Sequence, residues 1–208
     1  AADVAYVQEL FEREVPDAYI ADGHHRTGTV ALLHQEHRDA YPLLDFDHLL
    51  CAYFPTDQLE IWDYNRVVEG MNELSPEALF SRLAKVLEIE HVDSPRRPRH
   101  KYQLKLFFRE HWYRLQWRPE VLAAYKPGTR ALPALLDVSL LNELVLRDIL
   151  GIRDFRTSAR ITYVEGTKGL RGIRKAVADA PDRLGFVLFP VVFEDMIRIA
   201  DAEKSLPP

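Results

Sequence analysis

Asp22-Gly23-His24-His25-Arg26 has the residue types and spacing in this chain best suited to chemistry. Ala18-Tyr19-Ile20-Ala21 before it is a short apolar run that reads as a buried strand, Asp22-Gly23 is a turn signal, and Thr27 to Glu36 reads as a helix. A helix start presents unpaired N–H groups and a partial positive charge, which together attract anions. Gly23 lets the backbone adopt positive φ and approach a ligand closely. Arg26 carries a planar fork matched to phosphate or carboxylate oxygens. His24 and His25 can donate hydrogen bonds and move protons near neutral pH. Thr27 and Thr29 add hydroxyls. The same residues fit a purely structural role, with Asp22 capping the helix and His25 packing against the strand.

Other constellations carry weaker signals. His34 and His37 stand three apart on the helix after the turn, with His24, His25 and His48 near in sequence. They lack the tight ligand patterns typical of zinc sites, so solvated or capping histidines are expected and no metal site is assigned. Arg96, Arg97, Arg99, His100 and Lys101 form one short basic cluster. It reads as a solvated loop rather than a nucleic-acid backbone contact. Glu165-Gly166-Thr167-Lys168-Gly169 lies between a strand and a helix without full P-loop spacing, and capping by Thr167 is expected. Asp63, Asn65 and Arg66 sit just past a strand and are expected to be structural, lining the same cleft as the turn.

The elements that must position these groups alternate. A helix is expected over 2–14, strands over 18–21, 47–54 and 58–63, and a hairpin turn at Pro55-Thr56-Asp57. Ser75-Pro76-Glu77 opens a helix with Leu79, Leu83, Val86 and Leu87 on its apolar face. The proline-punctuated stretch 94–100 marks the expected boundary between a region 1–95 and a region 96–208, although one domain also fits. Residues 103–108 and 112–117 read as a hairpin. Residues 137–150 read as a helix with an Asp cap and Gly151 past its end. A strand over 160–164, a helix over 167–180 and a strand over 185–190 have the length of a βαβ unit, and a last helix covers 193–202. The expected class is α/β (α+β), a mixed sheet with hairpins and helices.

Composition narrows the class. The 208 residues are 47% hydrophobic and 28% charged, enough apolar material for a sizeable core. The net charge of −5 speaks against a dedicated nucleic-acid binder. The single cysteine, Cys51, excludes an intrachain disulfide and is expected to be buried. No apolar run approaches the roughly 20 residues of a membrane span and no signal peptide is visible, so a cytoplasmic setting is expected. The chain starts without Met inside a helical pattern and stops at Leu206-Pro207-Pro208, as expected of a piece of a longer protein.

Tyr19 to Arg26, Leu50 to Phe54, Asp63 to Val68, Leu136 to Leu141 and Met196 to Pro208 resemble DUF1015, a bacterial and archaeal family. Asp-Gly-His-His-Arg is the most specific part. The resemblance implies a ParB/sulfiredoxin-like strand–loop–helix element in which this junction handles nucleotide phosphates. Free-serine kinases of that superfamily carry a similar stretch. By that analogy Gly23, Arg26 and Thr27 bind the cofactor, ATP or ADP with Mg, while Asp22, His24 and His25 are catalytic. The implied partner is a nucleotide or other small molecule, not nucleic acid or membrane. The kinases' glutamate lies well upstream of the loop, and the 21 residues before Asp22 hold no obvious counterpart; the loop also lacks the sulfiredoxin cysteine. Family members look about twice as long and often have Tyr at the position of Thr27. A phosphate- or nucleotide-binding protein, as a small-molecule kinase, is the leading expectation. A regulatory scaffold and a metal-dependent hydrolase are the alternatives.

Overall fold

The computed structural model describes residues 2–37, 39–40, 48–125, 132–178, 180–204 and 206–207. They fall into two compact units, Ala1–Leu59 and Glu60–Pro208.

In the first unit α1 spans Ala2–Glu14, as the spacing of Val4, Val7, Leu10 and Phe11 requires. Helix α2 spans His24–His37, starting three residues earlier than expected. Two expected strands are absent among the described residues. Residues 18–21 and 48–54 have no regular structure, Leu50 is fully exposed and Cys51 is exposed rather than buried; Asp47 lies outside the described residues. Short apolar runs become strands only when the edge of another strand takes their N–H and C=O groups, and no such ladder forms here among the described residues. The expected hairpin at 55–57 is instead a 3₁₀ turn over Thr56–Gln58, with Gln58 N–H donating to Pro55 O at 3.0 Å. Among its described residues this unit buries no side chain fully.

The second unit is built on six antiparallel strands: β1 (Tyr64–Val68), β2 (Leu87–Val92), β3 (Gln103–Phe108), β4 (His111–Trp117), β5 (Ile161–Glu165) and β6 (Leu184–Val187). Their order is β2-β4-β3-β6-β1-β5. The third expected strand, at 58–63, lies instead at β1. Leu87 opens β2 rather than extending the preceding helix, and Leu87-Glu88-Ile89-Glu90 alternates as a half-buried strand should. The β3–β4 hairpin forms as expected around Arg109 and Glu110, both at positive φ, the two-residue turn that matches strand twist. The 94–100 loop joins β2 to β3 within this one sheet.

Helix α3 (Pro76–Leu83) is capped by Ser75, whose Oγ accepts from Ala78 N–H at 3.2 Å. A short α4 covers Pro119–Ala124. Helix α5 (Asp137–Leu140) runs on as a π-helical stretch, Leu141–Arg147, and Gly151 follows at φ +69. Helices α6 (Gly169–Val177) and α7 (Phe193–Asp201) complete the unit. Strands β5 and β6 both run antiparallel to β1, which lies between them, so they are parallel to each other and α6 connects them as a split βαβ crossover.

Helix α6 covers one face, packing Ile173 and Val177 on Val67, Phe107, Val164 and Val187. The other face carries the larger core, where Val68, Leu106 and Phe186 meet Leu79, Leu83, Leu140, Val145 and Ile199. The fold is mixed α/β. With both faces covered, β1 is buried at four of its five positions, which forces the polar Asn65 and Arg66 indoors.

Candidate functional site

The turn before α2 brings Asp22, Gly23 and Arg26 together. Gly23 sits at φ +81, a backbone region that a side chain rarely tolerates. Its N–H donates to Asp22 Oδ1 at 2.7 Å, and its carbonyl accepts from Thr27 N–H at 2.9 Å, closing the first helical turn. Arg26 folds back so that Nη2 lies 3.4 Å from Asp22 Oδ2, and its guanidinium lies against Gly23, where an added Cβ would stand 3.2 Å from Nη2. Asp22 and Arg26 are both strongly exposed, so their mutual attraction is weak, about 0–1 kcal/mol. No acidic residue occupies the first turn of α2. His24 and His25 begin the helix; their side chains lie outside the described part of the structure. Thr27 is half-buried.

The second unit holds a cavity of about 210 Å³. Its walls include Trp62, Leu136, Val138, Leu188, Phe189 and Val192, and five charged residues reach it: Asp63, Arg66, Lys101, Asp137 and Asp195. The sheet and the helix starts explain the placement. Asp63 precedes β1, and its backbone oxygen accepts from Gly166 N–H at 2.8 Å. A Cβ on Gly166 would stand 2.3 Å from Asp63 Oδ1, so only glycine fits there. Asp137 and Asp195 sit in the first turns of α5 and α7, where a carboxylate is favoured by the helix dipole. Asp137 does not cap its own helix as expected; its Oδ2 accepts from Tyr102 N–H at 3.0 Å.

The basic loop 94–100 and Lys101 turn partly inward. Lys101 pairs with buried Asp195, and Arg97 lies 3.6 Å from Asp63 Oδ1, donates to Gly166 O and stacks 4.6 Å over Trp62. Arg66 donates to Tyr64 O at 2.6 Å and lies 5.4 Å from the Tyr163 ring centre. Burial lowers its guanidinium to about 10, against the attraction of Tyr163 and Tyr64. Burial pushes the Asp137 carboxyl up to about 6; the Tyr102 N–H, Lys101 and His100 act the other way. Asp63 Oδ2 and Asp137 Oδ1 are both buried with no hydrogen-bond partner.

A family model described as "Protein of unknown function (DUF1015)" matches residues 1–139. The chain belongs to the DUF1015 family. No curated protein and no solved structure matches it. The DUF1015 match takes in the Asp22–Arg26 turn and four of the cavity's charged residues, Asp63, Arg66, Lys101 and Asp137, and stops before Asp195.

In this DUF1015 chain sequence spacing exposed the turn but not the cavity. Asp63 and Arg66 stood out only as polar residues beside a strand, and Asp137 as a helix cap. The available signal was three polar residues in six, Asp63-Tyr64-Asn65-Arg66-Val67-Val68, in a stretch that proves to be an inner strand. Thr167 caps nothing: Gly166–Lys168 is a 3₁₀ turn before α6, whose N-cap Lys168 makes no side-chain cap. Among the described residues no three His, Cys, Asp or Glu side chains converge as a metal site. No helix among them is long and apolar enough to cross a membrane.

Proposed function

We propose that this DUF1015 chain is a phosphate- or nucleotide-binding protein whose anion site is the Asp22–Arg26 turn at the start of α2. The carrying observation is the pairing of Gly23 at φ +81 with the exposed guanidinium of Arg26 folded against it at a helix start. A phosphate placed there meets the N–H groups of the first turn and the Arg26 fork, in competition with the exposed Asp22 carboxylate that now holds Gly23 N–H and Arg26. Asp22 holds Arg26 only weakly, so a dianion can take the guanidinium over at small cost. In a small-molecule kinase built on this turn, ATP or ADP with Mg would be the cofactor. His24 or His25 would then move the acceptor's proton, and Asp22 would orient a histidine or the metal.

Calorimetric titration of the chain with ATP, ADP and CTP tests the proposal, with Arg26→Ala as the control. Saturable binding by at least one nucleotide that Arg26→Ala weakens by about tenfold or more supports it. Absence of binding by all three, or binding indifferent to Arg26→Ala, rejects it.

A further inference from the structure

We propose that the α6 face of the sheet binds a small oxyanion, a phosphate group free or carried on an ester, between the Lys105 ammonium and the Arg114 and Arg99 side chains. Lys105 lies on β3, an inner strand between β4 and β6. Side chains alternate between the faces of a strand, so Lys105 shares its face with Gln103 and with Phe107, on which α6 packs. Its cross-strand neighbours on that face are Arg114 of β4 and Val187 of β6, and Glu90 of β2 lies beyond Arg114. Two like charges thus stand directly opposite each other inside a sheet, an arrangement that opposes folding. Arg99 adds a third cation: its backbone N–H donates to Gln103 Oε1 at 3.0 Å, which ties the loop before β3 to the same row of side chains.

The charge of the ligand follows from what these cations lack. Lys105 is only 6% exposed, and among the described residues its ammonium has neither a hydrogen bond nor an ion pair. It is not sealed either: Lys105 Nζ is not among the fully buried side-chain atoms without a partner, so the ammonium is the tip of the residue that opens to solvent. Glu90 is the one carboxylate that acts on it, and Glu90 is already paired with Arg114. The other cations of the loop are engaged, Arg97 with Asp63 and Lys101 with Asp195, whereas the Arg99 guanidinium has no partner among the described residues. Burial first, then Arg114 and Arg99, lower the Lys105 ammonium from its ordinary value against the pull of Glu90, as fits a cation short of counter-charge. Three cations against one carboxylate repel a further cation, and a neutral ligand would leave the repulsion in place. An oxyanion meets three N–H donors on the ammonium and two guanidinium forks whose geometry suits phosphate. The site shares no residue with the Asp22–Arg26 turn, and either can fail alone.

The test is calorimetric titration of the Arg26→Ala chain, which lacks the arginine of the turn, with inorganic phosphate and with methyl phosphate at constant ionic strength and about pH 7.5, where Lys105 is still charged. Saturable binding at one site is expected, weakened about tenfold or more by Lys105→Met, which keeps the apolar stem and removes the charge. Without phosphate, Lys105→Met is expected to melt above its parent because the repulsion is gone; with phosphate, the parent gains stability and the variant does not. Arg99→Gln, at an exposed position, is expected to weaken phosphate about threefold or more. Methyl phosphate binding as well as inorganic phosphate assigns the site to phosphate esters, and binding of inorganic phosphate alone assigns it to the free ion. Absence of saturable binding by either compound, or binding indifferent to Lys105→Met, overturns the proposal. If Lys105→Met does not fold, Arg99→Gln decides, and indifference to it overturns the proposal.

Discussion

Asp and Arg occur together in two regions of this chain under opposite conditions. At the turn before α2, the Asp22 and Arg26 side chains are 94% and 78% exposed. In the second unit, Asp137 and Arg66 are 5% and 2% exposed. Water solvates the first pair, so its charges contribute little to folding, which is why the proposed anion site can draw on Arg26. The second set has lost its water. Its charges are held by Tyr64 O, Tyr102 N–H and aromatic rings, and its unused oxygens demand a partner. The same residue types thus form a solvated, weakly coupled pair in one place and a buried, costly set in the other.

The contrast breaks most visibly under truncation. Arg66→Ala is expected to destabilise the second unit by about 2–5 kcal/mol, since it empties a large buried volume and orphans Tyr64 O. Arg26→Ala is expected to change stability by less than about 0.5 kcal/mol. Urea unfolding of the two variants compares them directly. Equal losses would mean that Arg26 supports the fold to the same degree as Arg66, and the contrast would collapse.

The pH dependence of stability should come from the buried set. Burial raises Asp137 from 3.8 to about 6. Between those values the native chain holds a proton that the unfolded chain has released. The stability contributed by that proton is therefore full below pH 3.8 and lost as pH rises through about 6. The loss is on the order of 3 kcal/mol, and Asp137→Asn is expected to flatten it. Denaturant midpoints of both chains between pH 4 and pH 8 check this; parallel profiles would show that Asp137 titrates normally.

A smaller effect isolates the geometry that sets Asp63. Gly166→Ala places a methyl 2.3 Å from Asp63 Oδ1, so Asp63 must shift. A loss of about 1–3 kcal/mol is expected. Thermal melts detect it, and an unperturbed variant would show that Asp63 has room to spare.

How far the sequence revealed each region follows from sequence distance. The β3–β4 hairpin, the Ser75 cap and the helix ending at Gly151 were legible because local turn and cap chemistry specifies them. Strand β1 was misplaced because Asp63, Asn65 and Arg66 interrupt the apolar pattern that marks a strand. The runs 18–21 and 48–54 looked like strands because apolarity alone does not say whether a partner edge exists. The Asp22–Arg26 turn lies within five residues and could be read directly. The cavity draws on residues near 63, 101, 137 and 195, which only the order β3-β6-β1-β5 and the helices after β4 and β6 bring together.

The central claim, that the turn before α2 receives phosphate, is tested most directly by following the backbone amides of Gly23, His24, His25 and Arg26 by NMR while ADP is added. These four resonances are expected to shift together and saturate, and Arg26→Ala to abolish the response. Saturation of other residues with these four unmoved would contradict it.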